Sequence, residues 1–99
     1  MNNLAALTYA HFEACRQQPF VIELDGREGL PLDLVDVYRP SGPPSGGRQV
    51  FSLAFRGPRQ PVLPQQVYTL TNETLGRLEI FLVPIGPDGA GVRYEAVFG

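Results

Sequence analysis

The last third of the chain holds three apolar runs separated by two short turns, and this feature constrains the fold most. The runs span residues 67–72, 78–86 and 92–98. Apolar and polar side chains largely alternate within them, which is the period of a strand that buries one face. The sequence therefore predicts an antiparallel meander of three strands.

The two turns predict how these strands pair. The first turn places Tyr68 opposite Ile80, and the second, through residues 87–89, places Leu82 opposite Tyr94. Both pairings point the even-numbered side chains of the middle strand inward. Because a slip of one residue would invert a whole strand, this agreement supports the even-numbered face as the core face.

Three further strands are expected upstream, at residues 20–24, 30–39 and 49–56. In the second of them the inward parity changes between Leu34 and Val35, which predicts a β-bulge at that point. Ten prolines and eleven glycines punctuate the chain, as a β domain with many turns requires. Residues 40–47 are predicted to be the mobile tip of a hairpin, with a recognition loop that uses its prolines as the alternative.

Two segments are expected to cover the strands. Residues 7–16 predict a short helix that Thr8 caps, with Phe12 and Cys15 inward. This helix should cover either the Phe81 side of the meander or one open end of a barrel. Residues 57–65, the crossing segment, contain three prolines and should span the core with Val62 and Leu63 tucked inward.

These elements predict a mainly β fold. We expect about six antiparallel strands in a small barrel or sandwich, with one short N-terminal α-helix, and a single domain over residues 1–99.

Composition excludes several classes of function. The net charge is −2 and no basic run is present, which argues against nucleic acid and anionic membranes as partners. The longest apolar run is far shorter than the roughly 20 residues of a membrane span. The N-terminus lacks the basic region of a signal peptide, and the single cysteine cannot form an internal disulfide. A cytoplasmic location is the expectation.

No chemical motif rises above background. His11 and Cys15 have the i, i+4 spacing that could place two ligands on one helix face, but the chain has no other histidine or cysteine. We therefore predict no metal, no cofactor and no catalytic residue, and an enzyme is the least favoured class.

The outer face of the meander is the candidate interaction surface. It carries Phe81, Val83 and Val97, which form an exposed patch if the helix does not cover them. Arg56 and Arg59 flank a Gly-Pro turn and could grip a carboxylate of a partner, although Arg56 could instead bind backbone carbonyls, Asp36 or Glu79. The leading hypothesis is a non-catalytic structural or assembly module that binds another protein or a second copy of the chain. A small-ligand barrel is the alternative.

Several segments together form a specific pattern. They are Phe51-x-Leu53-x-Phe55-Arg56-Gly57-Pro58, Leu63-Pro64-Gln65, residues 78–86 and Tyr94-Glu95-Ala96-Val97-Phe98. The chain resembles an uncharacterised family of bacterial domains of unknown function, each about as long as this chain. The resemblance implies no activity, cofactor or site residue. It implies a loose association with phage-tail-like gene neighbourhoods, and hence a structural or assembly role.

Overall fold

One helix and six strands make up the described part of the chain. The computed structural model describes residues 8–24, 27–39, 51–60 and 62–98. The elements are α1 (Tyr9–Ala14), β1 (Phe20–Leu24), β2 (Arg27–Tyr38), β3 (Phe51–Gly57), β4 (Gln66–Asn72), β5 (Gly76–Pro87) and β6 (Val92–Phe98). The expected hairpin tip at residues 40–47 lies outside the described residues.

The strands close into a barrel in the order β1-β2-β3-β6-β5-β4, with every neighbouring pair antiparallel. The mainly β fold with six antiparallel strands and one short helix is confirmed. Of the two architectures expected, the barrel is the one that forms. Its closure depends on pairing of β1 with β4, which joins Phe20 to Asn72.

The two longest strands, β2 and β5, each take part in both sheets of the barrel. The first half of β2 pairs with β1 and its second half with β3, while β5 pairs first with β4 and then with β6. Each strand shifts register near the changeover, β2 between Leu34 and Asp36 and β5 between Pro84 and Gly86. Since bulges bend strands, these shifts turn the chain from one sheet into the next. The bulge predicted at Leu34 and Val35 is confirmed.

The first predicted pairing of the C-terminal strands is confirmed, and the second is wrong by two residues. Tyr68 lies opposite Ile80 as expected, but Tyr94 lies opposite Pro84 instead of Leu82. The turn is longer than predicted and extends to residue 91, because the Asp88 carboxylate accepts hydrogen bonds from the backbone N–H groups of residues 90 and 91, both at 3.1 Å. Pro87 therefore pairs with Val92, which moves the register by three residues, and the bulge between Pro84 and Gly86 takes one of them back. A shift of two keeps the parity, so the even-numbered side chains of β5 still face inward.

The barrel interior is filled by side chains. Phe51, Leu53 and Phe55 of β3 are buried as predicted, and the Phe20 ring meets the Phe55 ring edge-on with centroids 5.3 Å apart. A barrel of six strands is narrow, so large side chains from facing strands are enough to fill it. Stability should accordingly depend on packing of this core.

Helix α1 closes one end of the barrel. Thr8 is its N-cap as predicted, and the backbone N–H of Thr8 donates to Nδ1 of His11 over 2.9 Å. Phe12 and Cys15 are buried. The centroid of the Phe12 ring lies 5.9 Å from that of Phe51 and 5.4 Å from that of Phe98. Of the two positions expected for the helix, it takes the open end. The helix is also shorter than expected at its C-terminal end.

The crossing segment closes the opposite end. Two tyrosine hydroxyls hold it: Tyr94 accepts from the backbone N–H of Leu63 over 3.0 Å, and Tyr68 donates to the Pro64 carbonyl over 2.5 Å. Leu63 is buried as predicted. The expectation for Val62 is wrong, because 59% of that residue remains exposed.

Candidate interaction surface

An apolar pair marks the outer face of β4 and β5. Val67 lies directly opposite Phe81, and the two side chains remain 57% and 48% exposed. Cross-strand partners on one face have Cβ atoms about 4.5–5.5 Å apart, so these side chains form one continuous patch. Helix α1 could have covered Phe81, but it packs at the end of the barrel instead.

The patch continues onto β6. Val83 follows Phe81 by two residues and therefore shares its face, and Val83 lies opposite Glu95. Val97 is two residues beyond Glu95, which places it diagonally across from Val83, at about 7–8 Å. Val97 is 71% exposed. We call this set of four residues, Val67, Phe81, Val83 and Val97, the apolar strip.

The structure thus brings together the three apolar residues that the sequence singled out and adds Val67. The signal for Val67 was present in the sequence, because pairing Tyr68 with Ile80 also places Val67 opposite Phe81.

Two acidic residues border the strip: Glu79 precedes Phe81 by two residues, and Glu95 lies opposite Val83. Among the described side chains, neither glutamate has an ion-pair partner.

Arg56 is bound within the chain. Its Nε donates to Oδ2 of Asp88 over 2.8 Å, and its Nη2 lies 2.7 Å from the same oxygen. The Nε of Arg93 lies 3.8 Å from the same oxygen. The hydrogen bond from Arg56 holds the pKa of Asp88 below its ordinary value, with help from the backbone N–H groups that this carboxylate accepts.

Arg59 is the second arginine of the predicted cluster. Its Nη2 donates to the Gly89 carbonyl over 2.6 Å, so both arginines hold the turn between β5 and β6. Arg56 lies opposite Arg93 in register, and Val97 is four residues further along β6. At about 3.4 Å per residue, Arg56 lies roughly 14 Å along the strands from Val97 but only about 7 Å along them from Val83, whose partner Glu95 is two residues from Arg93. Both arginines are held at the turn between β5 and β6 by hydrogen bonds within the chain, so they lie beside the apolar strip and not within it.

The surface of the described residues includes the following depressions. One, of about 460 Å³, lies between the crossing segment and the turn that joins β5 to β6. Another, of about 270 Å³, lies on the outer face of β2, β3 and β6, with Asp36 and Tyr38 on one side and Glu95 on the other.

His11 and Cys15, the two side chains with the spacing of metal ligands, have different environments in the structure. His11 is exposed and accepts a hydrogen bond at the start of the helix, whereas Cys15 is buried, and burial raises the pKa of its thiol. A thiol in this environment stays protonated at neutral pH and is a poor nucleophile. Within the described ranges, no group of three histidine, cysteine, aspartate or glutamate side chains is arranged to hold a metal ion.

No helix in the described part of the chain is long and apolar enough to cross a membrane. One family model matches residues 7–98, and the family is described only as a domain of unknown function. No curated protein and no solved structure matches the chain.

Proposed function

We propose that the chain, which belongs to the DUF6916 family of domains of unknown function, is a non-catalytic protein-interaction module. The observation that carries the proposal is the half-exposed Phe81 in the middle of the apolar strip. Burying this side chain against a partner would contribute about 25 cal/mol for each Å² of apolar surface removed from water. Aromatic side chains are enriched at protein interfaces for this reason.

The border of the strip defines the chemistry of the partner. Glu79 and Glu95 would be covered or crowded by anything that seats on Phe81 and Val83, and each is without an ion-pair partner among the described side chains. A partner with an apolar patch flanked by lysine or arginine satisfies both groups. A second copy of the chain would bring its own Glu79 and Glu95 to the contact, where like charges would repel one another. We therefore propose a different protein as the partner.

The test compares two variants that each place a charge on an exposed aromatic residue. Phe81→Glu removes the centre of the strip, and Tyr38→Glu is the matched control, since Tyr38 is 61% exposed on β2. Tagged wild type and variants are incubated with extract of the host, and retained proteins are quantified at low and high salt. We expect a protein that wild type and Tyr38→Glu retain, that Phe81→Glu loses, and whose retention weakens with salt.

Two results would count against the proposal. One is the absence of any retained protein that depends on Phe81. The other is loss of the circular dichroism spectrum in Phe81→Glu, which would make Phe81 part of the core. Light scattering at several concentrations tests for a second copy, and a dimer that Phe81→Glu dissolves would replace the proposed partner with self-association. Proteins encoded beside family members are the first partners to test, with phage-tail-like proteins foremost among them.

A further inference from the structure

The depression at the end of the barrel that the crossing segment closes is mostly apolar. Its walls are Val62 on the crossing segment, Pro84 and Pro87 on β5, and Val92 on β6. Its volume of about 460 Å³ falls in the range of roughly 300–1,000 Å³ that is common for ligand sites. It is open to solvent on one side, so a group bound in it can remain attached to a longer chain. The exposure of Val62 is explained if this side chain forms one wall of a binding site.

Among the described residues that line this depression, Arg59 is the one with a cationic side chain. Arg59 is held in place by its hydrogen bond to the Gly89 carbonyl. Arg16, Arg56 and Arg77 each have a carboxylate within 3.4 Å, but no described carboxylate lies within 4.0 Å of Arg59. A guanidinium has five N–H donors, and one of those on Arg59 is used by Gly89. Covering it with a purely apolar group would cost desolvation free energy, whereas a carboxylate would offset that cost.

We propose that this depression binds the C-terminal residue of a protein partner. The apolar side chain of that residue would pack against Val62, Pro84 and Val92, and its carboxylate would accept hydrogen bonds from Arg59. Capture of a terminal carboxylate beside an apolar pocket is a known mode of peptide recognition. The open side of the depression leaves room for the preceding residues to lead away. A free carboxylic acid shares this chemistry, and the experiment distinguishes it from a protein terminus.

This inference rests on the proposed interaction function but uses a different surface. The apolar strip lies on the outer wall of the barrel, whereas the depression lies at the end that the crossing segment closes. Substitutions in one surface should therefore leave the other intact. The two proposals can be tested separately in the same protein.

The experiment measures fluorescence polarisation of labelled short peptides that share a Gly-Ser stem and end in leucine, valine, isoleucine, methionine or phenylalanine. Each peptide is prepared with a free carboxylate and as the amide, and N-acetyl-leucine serves as a competitor. We expect binding of at least one free-carboxylate peptide, weakened about tenfold or more by amidation and by Arg59→Gln. The glutamine can still donate to Gly89, so the thermal transition should remain unchanged.

Control variants separate the alternatives. Arg77→Gln removes an exposed arginine elsewhere on β5 and should leave peptide affinity unchanged, as should Phe81→Glu. Equal affinity for the amide, or unchanged affinity in Arg59→Gln, would overturn carboxylate recognition. Competition by N-acetyl-leucine as strong as that by the unlabelled peptide would overturn a protein terminus in favour of a free acid. Absence of binding by every peptide at about millimolar concentration, roughly −4.1 kcal/mol, would overturn the site.

Discussion

The two tyrosine hydroxyls that hold the crossing segment should differ in their contribution to stability. Tyr94 accepts from the Leu63 N–H in a buried location, where Tyr94 and Leu63 are 1% and 7% exposed. Tyr94→Phe removes the acceptor and leaves that N–H with neither a partner nor water. The cost of an unsatisfied buried donor is about 1–3 kcal/mol.

Tyr68→Phe is the matched control. The Tyr68 hydroxyl donates to the carbonyl of Pro64, which is an exposed residue, so water can replace the donor. The loss should then be only the net value of one hydrogen bond, about 0.5–1.5 kcal/mol. Both variants remove one oxygen atom from the same end of the barrel. Their difference therefore isolates the effect of burying an unpaired group.

Urea denaturation followed by far-ultraviolet circular dichroism measures the two free energies of unfolding. We expect the midpoint to fall more for Tyr94→Phe than for Tyr68→Phe, with similar slopes, and the melting temperature to fall about 4–8 °C for each kcal/mol. A loss in Tyr68→Phe equal to or larger than that in Tyr94→Phe would refute the reasoning. It would mean that water reaches Leu63, or that the Pro64 carbonyl is the group that the fold cannot leave unpaired.

Three further perturbations test other parts of the fold. Phe12→Ala should cost about 3–5 kcal/mol in urea denaturation because the ring fills the helix-capped end of the barrel, and a loss under about 1 kcal/mol would contradict that role. The lowered pKa of Asp88 means that its ionised form stabilises the fold at neutral pH, and this stabilisation is lost as the pH falls below about 4. Asp88→Asn should therefore flatten the acid side of the plot of unfolding free energy against pH. A plot as steep as that of wild type would argue against this role. Cys15 should react with a thiol reagent much more slowly in the native protein than in concentrated urea, and equal rates would contradict its burial.

Local sequence signals predicted much of the fold. Alternation at Phe51, Leu53 and Phe55 predicted β3 and its inward face, and the parity change at Leu34 predicted the bulge in β2. These signals lie within one element, where the period of two decides which side chains are buried. The register of β5 with β6 failed because it depends on side-chain hydrogen bonds of Asp88 and on an extra residue near Gly86, where φ is +115°. Strand periodicity carries no signal for either.

Less of the candidate site could be predicted from the sequence, because the site depends on contacts between segments that are distant in the chain. The exposure of Phe81 could be stated only conditionally, since it depended on where a short helix docks. The partner of Arg56 was sought at Asp36 and Glu79, but the carboxylate that binds it belongs to a turn 32 residues away. Val67 was accessible to sequence reasoning through the register of its neighbour. The depression beside Arg59 was not, because it forms between the crossing segment and a hairpin that share no sequence pattern.

The order in which the strands close the barrel also affects how the chain folds. Strands β1 to β3 form one half of the wall and β4 to β6 the other, and the halves meet along two seams, β1 with β4 and β3 with β6. Both seams join residues that are far apart in sequence, so loop-closure entropy must be lost before either seam contributes. A chain cut between β3 and β4 would yield two fragments, each with an apolar face open to water. Neither fragment would reach its native structure until it met the other.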